Sequence, residues 1–292
     1  MTETSSPPVE ITHRFVETNG VRLHVAEAGD PSHPLVLLLH GFPEFWYGWH
    51  RQIPALVRAG FRVIAPDQRG YNLSEKPPHR DDYALDKLAA DAIGLLDEAG
   101  VEQAYLVGHD WGAAVAWWMA ITTPARIRKM CILNVPHLSV MRRNLLGNPA
   151  QMLRSWYIGF FQIPVLPDVL LSAGGGGGLG QMMLRASRRG SLNDADMAQY
   201  TRAWSQPGAV TAMLNWYRSL AQKPPSLGMS SRVYVPTRII WGAKDIALLR
   251  IQAEQSLEYC EEGELIVLED ASHFVQHDEP ERVSELIIGH FR

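Results

Sequence analysis

The chain contains continuous apolar runs of strand length, each followed by turn residues and then by a helical pattern. Three of these runs are "PLVLLLHG" at 34–41, "FRVIAPD" at 61–67 and "AYLVGHD" at 104–110. Apolar runs without alternation are typical of parallel strands that are buried on both faces of a sheet. Over 84–99 apolar residues recur every three or four positions, which predicts a helix that ends before Gly100. Strands and helices therefore alternate along this part of the chain.

Both ends of the chain add strands to the same pattern. Residues 11–28 alternate apolar and polar on both sides of Asn19-Gly20, a dipeptide typical of a type I′ turn, and predict a β-hairpin. The segments "KMCILNVP", "TRIIWGAKD" and "GELIVLED" predict three later strands. The order of these elements predicts an α/β fold with a mostly parallel, doubly wound sheet.

The alternation stops between about 139 and 231, where Met, Trp, Tyr and Arg recur at helical spacing. We therefore expect residues 1–138 and 232–292 to form two parts of one core, and residues 139–231 to form an inserted helical cap. Inside this cap five consecutive glycines occupy 174–178. Glycine runs cost much entropy to order, so we expect a mobile loop there.

Composition and charge exclude several classes of protein. Of the 292 residues 46% are hydrophobic, which is enough for a sizeable core. The net charge of −4 gives no reason to expect a nucleic acid or an anionic membrane as partner. Cys131 and Cys260 lie apart, so neither a disulfide framework nor a zinc site is indicated. The polar start "MTETSSPPVE" and the absence of a long apolar run favour a soluble, cytoplasmic protein without membrane insertion.

The stretch "GHDWG" at 108–112 places Asp110 where many hydrolases have a serine nucleophile, at a sharp turn from strand to helix. A serine that attacked a saturated carbon would form an ether, which water cannot easily cleave. A carboxylate forms an ester instead, and hydrolysis of this ester regenerates the acid. The residue type therefore predicts nucleophilic attack by Asp110 on an sp³ carbon. The alternative is an aspartate that only stabilises the turn or caps the next helix.

Ester hydrolysis also requires a base, an acidic partner for the base and donors to the oxyanion. Asp245 follows the strand "TRIIWG" and His273 follows the strand "LIVLED". Both are therefore expected at the carboxyl ends of the strands, where open α/β sheets have their functional loops. His277 is a less favourable base because it lies four residues further on. His109 neighbours the nucleophile, but adjacent residues point to opposite faces, so we expect it to support the turn from behind.

The oxyanion donors are expected to be two backbone amides. The loop "HGFPE" follows an early strand and can offer the N–H of Phe42, and Trp111 follows the nucleophile directly. Pro43 constrains this loop, which is consistent with a rigid, preorganised donor.

"HGFPE", "RGY", "GHDWG", "WGAKD" and "ASHFVQHDEP" together resemble, in order and spacing, the motifs of the epoxide hydrolases of the α/β-hydrolase fold. This resemblance extends from "VRLHVAEAG" to "SELIIGHF" and implies two cap tyrosines that donate hydrogen bonds to the epoxide oxygen. Tyr157 in "SWYIGFFQIP" and Tyr217 in "LNWYRSL" lie in segments similar to the tyrosine-bearing ones of that family. Tyr200 and Tyr259 lack such flanking sequence. Asn72 replaces the glycine that commonly follows "RGY", and we expect it to keep the turn because Asn tolerates positive φ.

The expected function is hydrolysis of an apolar epoxide to a vicinal diol, with water as co-substrate and with no metal or organic cofactor. A haloalkane dehalogenase is the main alternative. The halide that leaves would need two side-chain hydrogen-bond donors, and Phe42 cannot supply the second one. A fluoroacetate dehalogenase is expected to have arginine at the position of Trp111, and an esterase is expected to have serine at 110. A non-catalytic protein that binds a small ligand on the same fold is the alternative of another class.

Overall fold

The computed structural model describes residues 8–222 and 231–292. In these residues eight strands form one sheet in the order β1-β2-β4-β3-β5-β6-β7-β8. The strands are β1 (Thr12–Thr18), β2 (Val21–Ala28), β3 (Leu35–Leu39), β4 (Arg62–Pro66), β5 (Ala104–His109), β6 (Ile127–Leu133), β7 (Thr237–Gly242) and β8 (Gly263–Leu268). The strands β1, β2 and β4 pair antiparallel, and all pairs from β4 to β8 are parallel. The predicted α/β class is thereby confirmed.

The sheet begins with the predicted hairpin. Thr18 pairs with Val21 across a two-residue turn, in which Asn19 has a φ of 49° and Gly20 a φ of 73°. Positive φ at both central positions is what a type I′ turn requires. The dipeptide therefore fixes the register of β1 against β2.

Helices cover both faces of the sheet, which explains the uninterrupted apolar runs. All five residues of β3 and all five residues of β4 are buried. The covering α-helices are α1 (Gln52–Arg58), α2 (Leu85–Glu98), α3 (Trp111–Thr122), α10 (Ile251–Leu257), α11 (Val275–Asp278) and α12 (Pro280–Phe291). Short 3₁₀ helices occupy Trp46–Trp49, Arg80–Tyr83 and Pro124–Arg126. Because helices cover both faces of the sheet, the loops that carry functional residues lie at the carboxyl ends of its parallel strands.

Between β6 and β7 the described chain is helical. The α-helices are α4 (Leu138–Gly147), α5 (Pro149–Arg154), α6 (Trp156–Phe161), α7 (Leu166–Ala186), α8 (Asp194–Trp204) and α9 (Ala209–Gln222). Several of them begin with side-chain caps that the sequence provides. Asn193, for example, accepts from the amide of Asp196 in a capping box at the start of α8.

The loop expected at the glycine run is present only in part, because Gly174–Gly176 are non-helical whereas Gly177 and Gly178 are helical. The run lies inside α7, where Ala173–Gly176 depart from helical geometry and Gly177 resumes it. Gly176 has a φ of 96°, and a Cβ there would lie 2.8 Å from the Trp204 ring. Positive φ and close packing therefore make part of the run a sharp kink between two helical halves, which composition alone did not predict.

Asn72 has a φ of 38°, as expected at the position where the family commonly has glycine. Its side chain donates to the Asp67 carboxylate over 2.8 Å, which holds the turn. No helix among the described residues is long and apolar enough to cross a bilayer.

Candidate active site

The Gly-x-Asp-x-Gly segment forms a sharp turn between β5 and α3. Asp110 has a φ of 47° and a ψ of −119°, a strained combination for a residue with a side chain. A Cβ at Gly108 would lie 2.6 Å from the Cα of Ala113. A Cβ at Gly112 would lie 2.1 Å from the carbonyl oxygen of Leu39, so both flanking positions need glycine. The turn therefore carries the Asp110 side chain beyond the carboxyl end of β5.

Three predicted residues meet at this edge of the sheet. The Nδ1 atom of His273 lies 2.8 Å from Oδ2 of Asp245, and its Nε2 atom lies 3.6 Å from Oδ2 of Asp110. Asp245 follows β7, and His273 follows β8. The structure thus places the imidazole between two carboxylates. These groups are distant in the chain, since 164 residues separate His273 from His109, the neighbour of Asp110.

Four donors hold the Asp245 carboxylate in place. Its Oδ1 atom accepts from the amides of Ala247 at 2.7 Å and Leu248 at 2.9 Å. Its Oδ2 atom accepts from His273 and from Nδ2 of Asn134 at 2.7 Å. An ionised carboxylate in a buried position needs such donors, because it can only accept hydrogen bonds.

Asn134 is a residue that the sequence analysis missed. It follows β6, has a φ of 48° and is fully buried. While its Nδ2 atom donates to Asp245, its Oδ1 atom accepts from the amide of Gly242 at 2.9 Å. The signal was present in "CILNVP", where a polar residue ends an apolar strand at the same edge as the other site residues.

The charges of these groups shift one another. Burial would raise the pKa values of Asp110 and Asp245, but the positive charge of His273, together with its hydrogen bond to Asp245, holds both below the ordinary value. Burial would lower the pKa of His273, but the two carboxylates raise it well above the ordinary value. In the unreacted site the imidazole is therefore protonated between two carboxylates.

The loop "HGFPE" reaches the same carboxylate. The amide of Phe42 donates to Oδ1 of Asp110 over 2.7 Å. Trp111 follows Asp110 as the first residue of α3, where backbone amides have no acceptor within the helix. Both predicted donors therefore belong to segments that border the Asp110 side chain.

Tyr157 lies in α6 and Tyr217 in α9, both in the helical segment between β6 and β7. Their ring centroids are 6.1 Å apart, with the planes at 83°. Burial and the negative charge of Asp110 raise the pKa of Tyr157, and the same two causes raise that of Tyr217. Both phenols consequently stay neutral at neutral pH and can donate a hydrogen bond.

Two cavities meet at these three side chains. A cavity of about 360 Å³ and a second of about 100 Å³ are both lined by Asp110, Tyr157 and Tyr217. The larger one also contacts His273. Most of the other lining residues are apolar, among them Phe42, Phe160, Phe161, Leu171, Met182 and Met183 in the larger cavity and Leu138, Met141, Leu145 and Leu220 in the smaller one. A small set of polar groups in an apolar cavity is typical of a site for an apolar small molecule.

A second buried polar cluster lies behind the site, around Glu44. Four side chains contact its carboxylate within 3.0 Å: His109, His277, Tyr200 and Gln276. Burial would raise the pKa of Glu44, but hydrogen bonds from the two histidines hold it below the ordinary value. The other ring nitrogen of His109 lies 2.9 Å from the carbonyl oxygen of His273. His109 therefore supports the site from behind, as expected, and Tyr200 links the cap to this cluster.

The role of Glu44 was also missed, because a charged residue after a loop is by default expected to be exposed. Among residues 8–222 and 231–292 no group of three or more His, Cys, Asp or Glu side chains could hold a metal ion.

The chain is similar to known proteins over most of its length. A family model described as alpha/beta hydrolase fold matches residues 34–280. The chain is 46% identical over 284 residues to the AB hydrolase superfamily protein YfhM of Bacillus subtilis, which covers 96% of this chain and 97% of that protein. It is 38% identical over 284 residues to Epoxide hydrolase 4 of Mus musculus, across 94% of this chain and 78% of that protein.

Solved structures show the same relationship. An epoxide hydrolase from Bacillus megaterium in complex with an inhibitor superposes with a TM-score of 0.87 at 30% identity. The match covers 95% of this chain and 99% of that one. An aspartate at the turn between β5 and α3, two tyrosines that line the same cavities and relatives of this kind lead to one conclusion: the chain belongs to the α/β-hydrolase family and, within it, to the epoxide hydrolases.

Proposed function

We propose that the chain converts an apolar epoxide and water to a vicinal diol through a covalent ester on Asp110. The observation that carries this proposal is the meeting of one carboxylate and two neutral phenols at the junction of two apolar cavities. A carboxylate can attack a ring carbon, and phenols can donate to the ring oxygen that leaves.

In the first step the Asp110 carboxylate attacks one epoxide carbon, and the bond from this carbon to the ring oxygen breaks. Tyr157 and Tyr217 donate to the oxygen as it takes up negative charge. Since both phenols have raised pKa values, the proton that finally neutralises the alkoxide comes from the imidazolium of His273, by way of solvent or a phenol. The products are a 2-hydroxyalkyl ester on Asp110, in which the former ring oxygen is the hydroxyl group, and a neutral imidazole.

In the second step His273 acts as the base. Esterification removes the negative charge of Asp110, which is one of the two charges that raise the pKa of His273. The neutral imidazole then takes a proton from water while Asp245 stabilises the imidazolium that forms. The resulting hydroxide attacks the ester carbonyl carbon. The amides of Phe42 and Trp111 stabilise the oxyanion until the ester breaks. The leaving alkoxide then takes the proton of the new carboxyl group, which releases the diol and restores the ionised Asp110 beside the protonated His273.

The cavities support an apolar substrate with room on both sides of the reacting ring. Their volumes of about 360 and 100 Å³ favour a larger substituent on one side and a smaller one on the other. A haloalkane dehalogenase is less well supported, because Phe42 offers the halide no side-chain donor and Tyr157 and Tyr217 would have no leaving oxygen to bind.

The test is a single turnover of styrene oxide in ¹⁸O-water, with enzyme in excess, followed by mass spectrometry of the peptide that contains Asp110. Ester hydrolysis by water inserts the label into the Asp110 carboxylate, so this peptide should gain ¹⁸O as the diol forms. Asp110→Asn should form no ester at first. Leu73→Ala, which changes an exposed side chain outside the cap, serves as the control. Diol formation without label in the peptide would refute the ester. Dehalogenation of haloalkanes without any epoxide turnover would favour the alternative enzyme.

A further inference from the structure

The net charge of −4 conceals a strong asymmetry between the cap and the core. Residues 139–231 contain nine basic and three acidic side chains, which gives a formal charge of +6, so the rest of the chain carries −10. Charge separated in this way produces opposite potentials on two parts of the surface. The net charge of the whole chain gave no reason to expect an anionic partner. The cap alone, however, carries a positive charge.

Several of the basic side chains are available to a partner. Among the described cap residues, Arg188 and Arg218 are the arginines that pair with carboxylates. Arg154 and Arg185 are exposed, and both line the larger cavity. The Arg154 guanidinium donates to the carbonyl oxygen of Asp245 over 2.8 Å, which holds it at the opening of this cavity.

Exposed apolar side chains accompany these arginines. Leu153 is 77% exposed and Trp156 is 65% exposed. Trp156 and Ile246 line the opening of the larger cavity, and Leu184 precedes Arg185. Of the fifteen large hydrophobic residues that are exposed in the described chain, ten belong to the cap: Leu146, Met152, Leu153, Trp156, Ile163, Val165, Leu166, Val169, Leu170 and Leu184. Such concentrations of exposed apolar side chains mark surfaces that contact a partner or a membrane.

We propose that the rim of the larger cavity, formed by the cap residues Leu153, Arg154, Trp156, Leu184 and Arg185 and the core residue Ile246, docks on the surface of an anionic lipid bilayer. Arginines close to anionic headgroups gain electrostatic attraction, and their long side chains reach past apolar neighbours. Leucine and tryptophan side chains enter the boundary between headgroups and acyl chains. Arg154 and Arg185 supply positive charge within the rim, and the formal charge of +6 on the cap sequence adds to this complementarity.

The position of the cavity favours a lipid surface over a protein partner. The cavity of about 360 Å³ opens among the rim residues, so a protein seated there would close it. A bilayer would instead place the opening against a phase that concentrates apolar compounds. Docking is a binding property, so it goes beyond the proposed reaction at Asp110 and does not depend on it.

The experiment is cosedimentation of the whole chain with vesicles, without substrate. One vesicle preparation contains only phosphatidylcholine, and the other contains 30 mol% phosphatidylglycerol. We expect binding to the anionic vesicles at least about tenfold stronger than to the neutral ones, and a marked fall in high salt. The double variant Arg154→Gln/Arg185→Gln should bind about 25-fold more weakly, from about fivefold for each arginine. Leu153→Ser should weaken binding about fivefold.

Matched controls lie on the core. Arg58→Gln/Arg80→Gln removes two exposed arginines from the core, and Leu73→Ser removes an exposed leucine. These variants should bind anionic vesicles as the unchanged protein does. The proposal is overturned if the chain binds neither preparation, if it binds both equally, or if the controls lose as much binding as the rim variants. It is also overturned if light scattering without vesicles shows self-association that the rim variants abolish, because the cap then binds the acidic core of a second copy.

Discussion

Asn134→Ala tests whether the hydrogen bond to Asp245 serves the hydrolysis of the ester. The substitution removes the 2.7 Å bond to Oδ2 of Asp245, the oxygen that also accepts from His273. A hydrogen bond to a charged group contributes about 1.5–3 kcal/mol. Its loss raises the pKa of Asp245 and weakens the stabilisation of the imidazolium that forms when His273 takes a proton from water.

If the whole of this energy is expressed in the transition state, ester hydrolysis slows about 10- to 150-fold, at roughly tenfold for each 1.4 kcal/mol. Attack by Asp110 uses the protonated form of His273, which the charges of Asp110 and Asp245 still favour in this variant, so this step should change less than about threefold, well under 1 kcal/mol. The ester should therefore accumulate. Rapid-quench single turnovers with mass spectrometry of the intact protein measure both steps, as formation and decay of the adduct.

Two variants separate this effect from general damage. Asn134→Gly removes the same side chain but accepts the φ of 48° without strain, so it should show the same slow hydrolysis in a protein closer to normal stability. Asn72→Ala also removes an asparagine of positive φ that donates to a carboxylate, but at Asp67 rather than at Asp245. The reasoning is refuted if Asn134→Gly slows both steps equally, or if Asn72→Ala slows hydrolysis as much.

Three further predictions follow from the cap and from the buried cluster. Tyr157→Phe and Tyr217→Phe should each slow ester formation by about 10- to 100-fold, with a smaller effect on ester decay in the same rapid-quench assay; equal effects on both steps would contradict the role in ring opening. Glu44→Gln should lower the free energy of unfolding by about 3 kcal/mol at pH 7, measured in urea. Because the folded pKa of Glu44 lies below its ordinary value of 4.5, this loss should shrink as the pH falls below 4.5, and a loss that grows there would contradict the assignment. Gly176→Ala should destabilise the protein by about 1–3 kcal/mol, because φ is positive and a ring lies 2.8 Å from the new Cβ, whereas Gly177→Ala, with nothing within 4 Å, should stabilise it by about 0.5–1 kcal/mol; thermal unfolding that ranks the two variants in the opposite order would refute the kink.

Much of the architecture could be predicted because the sheet is buried on both faces. Burial on both faces requires uninterrupted apolar runs, and these runs mark the strands and their order. In parallel strands the carboxyl ends meet at one edge, so residues that follow different strands can be assigned to one site. For this reason Asp110, Asp245 and His273 could be placed together without knowledge of a single distance.

The remaining site residues depend on contacts that no local pattern encodes. Asn134 and Asp245 are 111 residues apart, and nothing in "CILNVP" indicates to which side chain an asparagine would donate. Glu44 is buried because two histidines and a cap tyrosine converge on it from separate segments. The glycine run gave only part of the answer, because composition reports the entropy that ordering costs, whereas the contact of Gly176 with Trp204 shows where the chain bends.

The type of residue at position 110 affects the charge of His273 and therefore its role in the cycle. With serine at this turn, the imidazole would have one carboxylate partner and would start each cycle as a neutral base. With Asp110 it lies between two carboxylates, which raise its pKa and protonate it before the reaction. In the proposed cycle this proton is needed first, because ring opening produces an alkoxide, and its loss leaves a base at the moment when the ester requires one. Esterification of Asp110 thus changes the charge beside His273 in the direction that the second step needs, so the same imidazole can serve both steps without an additional acid.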